Sequence, residues 1–179
     1  MVERARNGDG DAFNAIAVEL SDRLFGVAHR ILRDFDSASD ALQVALLRMW
    51  RDLPGLRDPD LIEGWAYRVL INACKDELRS ARRLRVEVRP MLMDAPATGD
   101  AANSFADRES LERAFKKLPA DQRAVIVLQY FRQLTLAEIA VALGLPVGTV
   151  RSRAHYAKQA MRAALEADAR TTTRMERSA

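Results

Sequence analysis

The sequence predicts an all-α protein of two small helical domains joined by a flexible linker, the second domain built around a helix-turn-helix. Three observations carry this. Apolar residues recur at helical spacing through most of the chain, and no stretch sustains the alternation of a strand. From about Val86 to Phe105 the periodicity stops and Pro, Gly, Ala, Asp, Asn and Thr take over, the composition of a linker. The stretch Leu134 to Leu165 has two short helices' worth of pattern separated by Gly144 and Pro146. Glycine closes a helix by adopting the left-handed conformation, and proline opens the next with φ already set.

The first helix is expected from about Asp11 to Arg33, capped by Asp9 or Asp11. Phe13, Ile16, Ala17, Leu20, Leu24, Val27, Ala28 and Ile31 form its apolar stripe, with Ser21 marking a bend. His29 lies beside the stripe and reads as an ordinary imidazole. A turn at Asp34 to Ser37 follows, with Ser37 and Asp40 fitting a short capping pattern. The next helix, to Leu53, buries Ala38, Leu42, Ala45, Leu46, Met49 and Leu53. Its opposite arc holds Asp40, Gln43, Val44, Leu47 and Arg51. Two aliphatics on a solvated arc suggest a docking surface for another protein, or packing against the chain's own first helix.

Pro54, Gly55 and Pro59 break the chain, and a long helix is expected from about Leu61 to Arg85. Ala66, Leu70, Ala73, Cys74 and Ala81 mark its inner face, where Glu77 fits badly. The other face carries Arg68, Asn72, Lys75, Arg79, Arg82 and Arg83 in one stripe, with Trp65 at its upstream edge. A cationic stripe ending in an aromatic can follow a phosphate backbone and stack an unpaired base. A solvated basic face with a half-buried Trp explains the same pattern.

Helical pattern resumes near Asp107 and runs to Lys117, and Pro119 opens another helix through about Phe131. In the helix-turn-helix, Ile139, Ala140 and Leu143 face inward on the first helix, and Leu145 and Val150 wedge the two together. Along the second helix Val150, Ala154, Ala157, Met161 and Leu165 pack inward. Gly148, Ser152, His155 and Gln159 point away, flanked by Arg151, Arg153, Tyr156, Lys158 and Arg162. Such a face offers donors to base edges, bordered by cations for phosphates. The tail, Glu166 to Ala179, is polar and expected to fray.

Composition removes other classes. Lys and Arg number 28 against 25 Asp and Glu, a formal charge of +3, too modest for a coat-like nucleic-acid binder. The single Cys74 excludes an internal disulfide framework and reads as an inert core thiol; with two histidines it makes no convincing zinc site. No metal or cofactor is expected. There is no Gly-rich phosphate loop and no nucleophile with a paired base, which argues against an enzyme. The absence of an apolar run able to span a bilayer, and of a signal sequence at Met1, predicts a soluble cytoplasmic protein.

Three blocks together resemble the extracytoplasmic-function (group 4) sigma factors of bacterial RNA polymerase. DSASDALQVALLRMW (Asp36 to Trp50) is similar to region 2.2, and GWAYRVLINACKDELR (Gly64 to Arg79) to regions 2.3 and 2.4. LPADQRAVIVLQYFRQLTLAEIAVALGLPVGTVRSR (Leu118 to Arg153) resembles region 4. The resemblance implies a dissociable specificity subunit in four parts: region 2 over residues 1–85, a linker over 86–106, region 4 over 107–165, and a tail over 166–179. It implies that Asp40, Gln43 and Leu47, with Val44 and Arg51 beside them, meet the β′ clamp helices of core polymerase. Trp65, Arg68, Asn72, Lys75, Arg79, Arg82 and Arg83 would meet the melting minus-10 strand. Thr149, Arg151, Ser152, Arg153, His155, Tyr156, Lys158 and Gln159 would enter or flank the minus-35 major groove, with region 4 also on the β flap. A cognate anti-sigma factor is a further implied partner. One departure is visible: the family usually has an acidic residue after the region 2.2 glutamine, and here it is Val44. An ordinary helix-turn-helix repressor or activator would account for Leu134 to Leu165, but would leave the Arg68 to Arg83 stripe and the Val44/Leu47 patch unexplained.

Overall fold

A computed structural model describes residues 1–87 and 104–176. Most of the expected linker, including Met91, Leu92 and Met93, lies outside the described residues. Within them the structure is all-helical: α1 (Val2–Arg6), α2 (Gly10–Leu32), α3 (Phe35–Asp52), α4 (Ile62–Glu87), α5 (Ser104–Lys117), α6 (Ala120–Tyr130), α7 (Leu136–Leu143) and α8 (Val147–Glu176). Helices α4 and α5 reach slightly into the expected linker, at Val86–Glu87 and from Ser104.

The first domain packs α2, α3 and α4 around one apolar core. Leu24, Val27, Ile31, Ala38, Met49, Leu53, Leu70 and Cys74 are all fully buried, each large side chain contributing about 1.5–3 kcal/mol on removal from water. Helix α2 starts where Asp9 accepts from the Ala12 amide at 3.0 Å. It runs unbroken past Ser21, whose hydroxyl donates to the Ala17 carbonyl instead of bending the helix. Arg33 ends it in the left-handed conformation, φ 61°, with its amide on the His29 carbonyl. The cap of α3 is Asp34, which accepts from the Ser37 amide at 2.8 Å. Ser37 is therefore a capped residue and not the cap. Ala41 takes a core position beside Ala38 and Ala45, while Leu42 and Leu46 are only half-buried. The short α1, tied by an Arg4–Asp9 ion pair of 2.7 Å, was not visible in the pattern.

Two 3-10 turns, Leu53–Gly55 and Pro59–Leu61, carry the chain into α4. Ala81, expected on the inner face, is exposed. With 26 residues, α4 outruns the 18-residue α3 that covers its inner face.

The second domain holds the helix-turn-helix of α7 and α8, braced by α5 and α6. Thr135 caps α7 with a complete capping box: its hydroxyl accepts from the Glu138 amide, and the Glu138 carboxylate accepts from the Thr135 amide. Gly144 closes α7 at φ 64°. Ile139, Ala140, Val150, Ala154 and Ala157 are buried between the helices as their spacing requires. Helix α8 then continues to Glu176, so the segment expected to fray is helical over 166–176; its Ala, Arg and Glu residues favour helix.

The two domains are in contact. Helix α7 lies against α4, and α6 against α2 and α4. Gly64 of α4 lets Ala142 of α7 approach so closely that an added Cβ would sit 3.2 Å from the Ala142 Cα.

Candidate nucleic-acid interface

The exposed face of α8 is what the helical pattern predicted. Arg151, Ser152, His155, Tyr156, Lys158 and Gln159 are exposed, and Thr149 is half-buried near the helix start. Ser152 donates its hydroxyl to the Thr149 carbonyl at 2.9 Å, which leaves its lone pairs facing outward. The Lys158 ammonium sits 5.3 Å from the Tyr130 ring centroid, and the His155 and Tyr156 rings pack edge to face at 5.6 Å. Arg153 differs from its neighbours. It turns toward α6, where its guanidinium pairs with Asp121 at 3.4 Å.

The α4 stripe is also present. Arg68, Asn72, Arg79, Arg82 and Arg83 are exposed along one side of the helix. Arg79 pairs loosely with Asp76 at 3.1 Å, and Asp76 also meets Arg48 of α3 at 2.9 Å. Lys75 is only 24% exposed and forms an ion pair with Asp121. Trp65 is not exposed with the rest of the stripe: it is 9% exposed and belongs to the core, its ring largely covered. A cleft between Leu56, Leu61 and the α7 residues Ala137, Val141 and Ala142 passes over it. Its place on the helical wheel gave the right edge, but the covering groups come from distant sequence.

Beside Trp65 the pattern missed a polar cluster. Glu63 accepts from the Tyr67 hydroxyl at 3.0 Å and pairs with Arg132 of the second domain at 3.3 Å. Burial and the neighbouring carboxylate push the Tyr67 hydroxyl up to about 12, so it stays a neutral donor. Burial likewise pushes the Cys74 thiol up to about 12, as expected of an inert core residue.

On α3 the third predicted surface is open. Asp40, Gln43, Val44, Leu47 and Arg51 are all exposed, Leu47 at 66%, and Leu47 also lines a groove against α2. Trp50, 41% exposed, extends this surface into a groove shared with Phe13, Asn14 and Ala17 of α2, where its ring meets Phe13 edge-on at 5.0 Å. Sequence reading missed Trp50, although it follows Leu47 by three residues and so shares its face.

The two helical domains match known proteins in the same order. Residues 17–84 match sigma-70 region 2, and residues 108–161 match sigma-70, region 4. The ECF RNA polymerase sigma factor SigL of Mycobacterium tuberculosis is 34% identical over 92% of this chain and 95% of its own. The chain belongs to the extracytoplasmic-function sigma factors. Two further relatives of this sigma factor agree: the RNA polymerase sigma-E factor of Streptomyces avermitilis, 37% identical over 87% of this chain and 88% of that one, and the RNA polymerase sigma-H factor of Pseudomonas aeruginosa, 31% identical over 93% and 92%. Among solved structures, CnrH in complex with the cytosolic domain of CnrY shares the fold with a TM-score of 0.66 at 24% identity, covering 93% of this chain and 96% of that one. The sigma factor RpoE in complex with the anti-sigma factor NepR from Bartonella quintana does so with a TM-score of 0.64 at 21% identity, covering 87% and 97%. Among the described residues no helix is long and apolar enough to cross a membrane, and no cluster of His, Cys, Asp and Glu could hold a metal ion.

Proposed function

We propose that this sigma factor binds core RNA polymerase and directs promoter-specific initiation by reading the minus-35 element as duplex and melting the minus-10 element. The region 2 and region 4 matches, falling on domains that each present their own cationic face, carry the reading. In it, residues 1–85 act as the polymerase-binding and melting domain and residues 107–165 as the duplex reader.

Helix α8 enters the major groove with Ser152, His155 and Gln159 toward base edges, and with Arg151, Arg153, Tyr156 and Lys158 toward phosphates. Each good bidentate base contact is worth about 1–3 kcal/mol of discrimination. Placing α8 upstream sets α4 over the DNA to be opened, where Arg68, Asn72, Lys75, Arg79, Arg82 and Arg83 hold the separated strand. Extruding a base costs a few kcal/mol, which stacking and cationic contacts offset; Trp65 contributes only if its cover is removed. The α3 face of Asp40, Gln43, Val44, Leu47 and Arg51, extended by Trp50, docks on the β′ clamp helices. Val44 makes this contact more apolar than the family's usual acidic residue would. Region 4 meets the β flap. The chain contributes recognition and supplies no catalytic group, working in the cytoplasm where the polymerase is. The neighbours solved with CnrY and with the anti-sigma factor NepR support a cognate anti-sigma partner here as well.

The test separates the two domains' work. Arg79→Ala should impair open-complex formation, read by permanganate reactivity of unpaired thymines, more than it impairs binding to core polymerase. Equal loss of both would contradict the assignment of α4.

A further inference from the structure

We propose that Asp121 latches the free sigma factor closed, by holding one cation from each DNA-binding face in a three-way ion cluster that promoter phosphates must break. The inference rests on the promoter-reading function above and adds a regulation of the same sites.

Asp121 lies in the first turn of α6, between the two faces. Its Oδ1, itself sealed from solvent, pairs with the Lys75 ammonium of the melting stripe. Its Oδ2 pairs with the Arg153 guanidinium of the reading helix at 3.4 Å. One carboxylate therefore engages the two cations that the closed arrangement makes least available, at 24% and 26% side-chain exposure against 68% for Arg79. Around it the second domain lies on the stripe. A cleft of about 140 Å³ is walled on one side by Arg68, Asn72 and Lys75 and on the other by Leu143, Leu145 and Arg153. The Arg68 guanidinium reaches to 2.9 Å from where a Cβ on Gly144 would stand. Helix α7 thus crowds the Arg68 to Lys75 part of the track that a single strand would follow along α4, leaving Arg79, Arg82 and Arg83 open.

The two domains share one apolar core, but near the stripe the contacts are ion pairs whose side chains are 24–39% exposed and the small residues Gly64 and Ala142. Pairs of this kind contribute little each and are screened by salt. A strand of phosphates presents the same cations with several anions in place of one. DNA that binds only the open form has its apparent affinity reduced by the open fraction, and neutralising the latch raises that fraction. A purely local role for Asp121 at the N-terminus of α6 is the competing account, and it predicts a loss of stability with no change in domain closure.

The full-length protein carrying Gly64→Cys and Ala142→Cys tests this. A Cβ on Gly64 would lie 3.3 Å from that of Ala142, just short of the roughly 3.5–4.5 Å span of a disulfide, so a shift of a few tenths of an ångström brings the pair into range. The native Cys74 is buried and does not compete. Free protein should cross-link readily under mild oxidation. Adding Asp121→Asn, or a fluorescein-labelled random-sequence single-stranded DNA, should slow cross-linking by about two- to tenfold. Asp22→Asn, which removes the same charge from an exposed site on α2, should leave the rate unchanged. The oxidised protein should lose single-strand binding and run-off transcription with core polymerase, and dithiothreitol should restore both. An unchanged cross-linking rate with Asp121→Asn, or full transcription by the oxidised protein, would overturn the latch. If the reduced protein and the wild type both fail to transcribe, the promoter-reading function fails, while the cross-linking rates still judge closure. Should the cysteine pair disturb folding, read by helical circular dichroism, Asp121→Asn alone decides. It should raise single-strand affinity more than Asp22→Asn does; equal gains would overturn the proposal.

Discussion

Arg123 is the buried charge on which the contact between the two domains turns, and its removal has a calculable effect. It is 7% exposed, and its hydrogen-bond partners among the described residues are carbonyls. Its Nε donates to the Leu118 carbonyl at 3.0 Å, its Nη1 to the Ile31 carbonyl at 3.0 Å, and its Nη2 to the Lys116 carbonyl. Ile31 and Lys116 lie in the last turns of α2 and α5, whose carbonyls have no partner within their own helices. One planar fork therefore caps the C-terminal ends of two helices, one from each domain, and the negative ends of their dipoles favour the cation. Burial and the neighbouring Arg82 push its pKa below the ordinary value, yet a guanidinium stays charged. Arg123→Met keeps the apolar stem and deletes all three donors. Leaving a buried carbonyl unpaired costs about 1–3 kcal/mol. A cleft of about 550 Å³ beside the guanidinium, lined by Arg33, Glu77 and Lys116, admits water to some of the three. The expected loss is about 2–3 kcal/mol, with Arg123→Lys intermediate because an ammonium cannot reproduce the fork. Urea denaturation followed by helical circular dichroism reads it. Stability of Arg123→Met within about 0.5 kcal/mol of wild type would refute the reasoning, because desolvation would then have cancelled the three bonds.

Ser152→Ala or His155→Ala should change the preferred minus-35 sequence, whereas Lys158→Ala should weaken binding across sequences and reduce the salt slope by about one. If both kinds of variant altered only general affinity in competition assays, the facing assigned to α8 would be wrong. Thr135→Ala should destabilise by about 1 kcal/mol through loss of the cap. The Thr135 hydroxyl and amide hold the Glu138 carboxyl below its ordinary value of 4.5. A lowered folded pKa means this contribution is present above about 4.5 and is lost as pH falls through the lower folded value. The difference between wild type and Thr135→Ala in urea midpoint should therefore shrink on acidification; a difference that grew would contradict it. Gly144→Ala should cost about 1–2 kcal/mol, because φ 64° is strained for any side chain and the Arg68 tip must also move. Gly144→Asn should lose less.

Features set by local chain chemistry could be read directly. Gly144 and Pro146 marked the turn because glycine closes a helix at positive φ without Cβ strain and proline opens the next with φ already set. Val44 and Leu47 stood out because a regular helix admits no other face for them once Ala45 and Met49 are inside. What escaped depends on contacts between residues far apart in sequence. Trp65 lay at the right edge of α4, but its cover comes partly from α7, some seventy positions on. Nothing local to Asp121, an acid in the first turn of α6, says that Lys75 and Arg153 converge on it. Arg123 has carbonyls for partners, and these leave no mark in composition or period. Ala81 was placed inside because periodicity reports angle and not where the neighbouring helix ends. Thr135 and Glu138 are different: the T-x-x-E capping signature was present in the sequence and was passed over.

The central claim, that this chain gives core RNA polymerase its promoter choice, is tested most directly by run-off transcription on a genomic promoter library. Transcripts should appear only when the purified chain is added to core enzyme. Their start sites should lie downstream of two recurring elements at a constant spacing. Absence of chain-dependent transcripts on every promoter, from a sample whose helical circular dichroism shows it folded, would contradict the account.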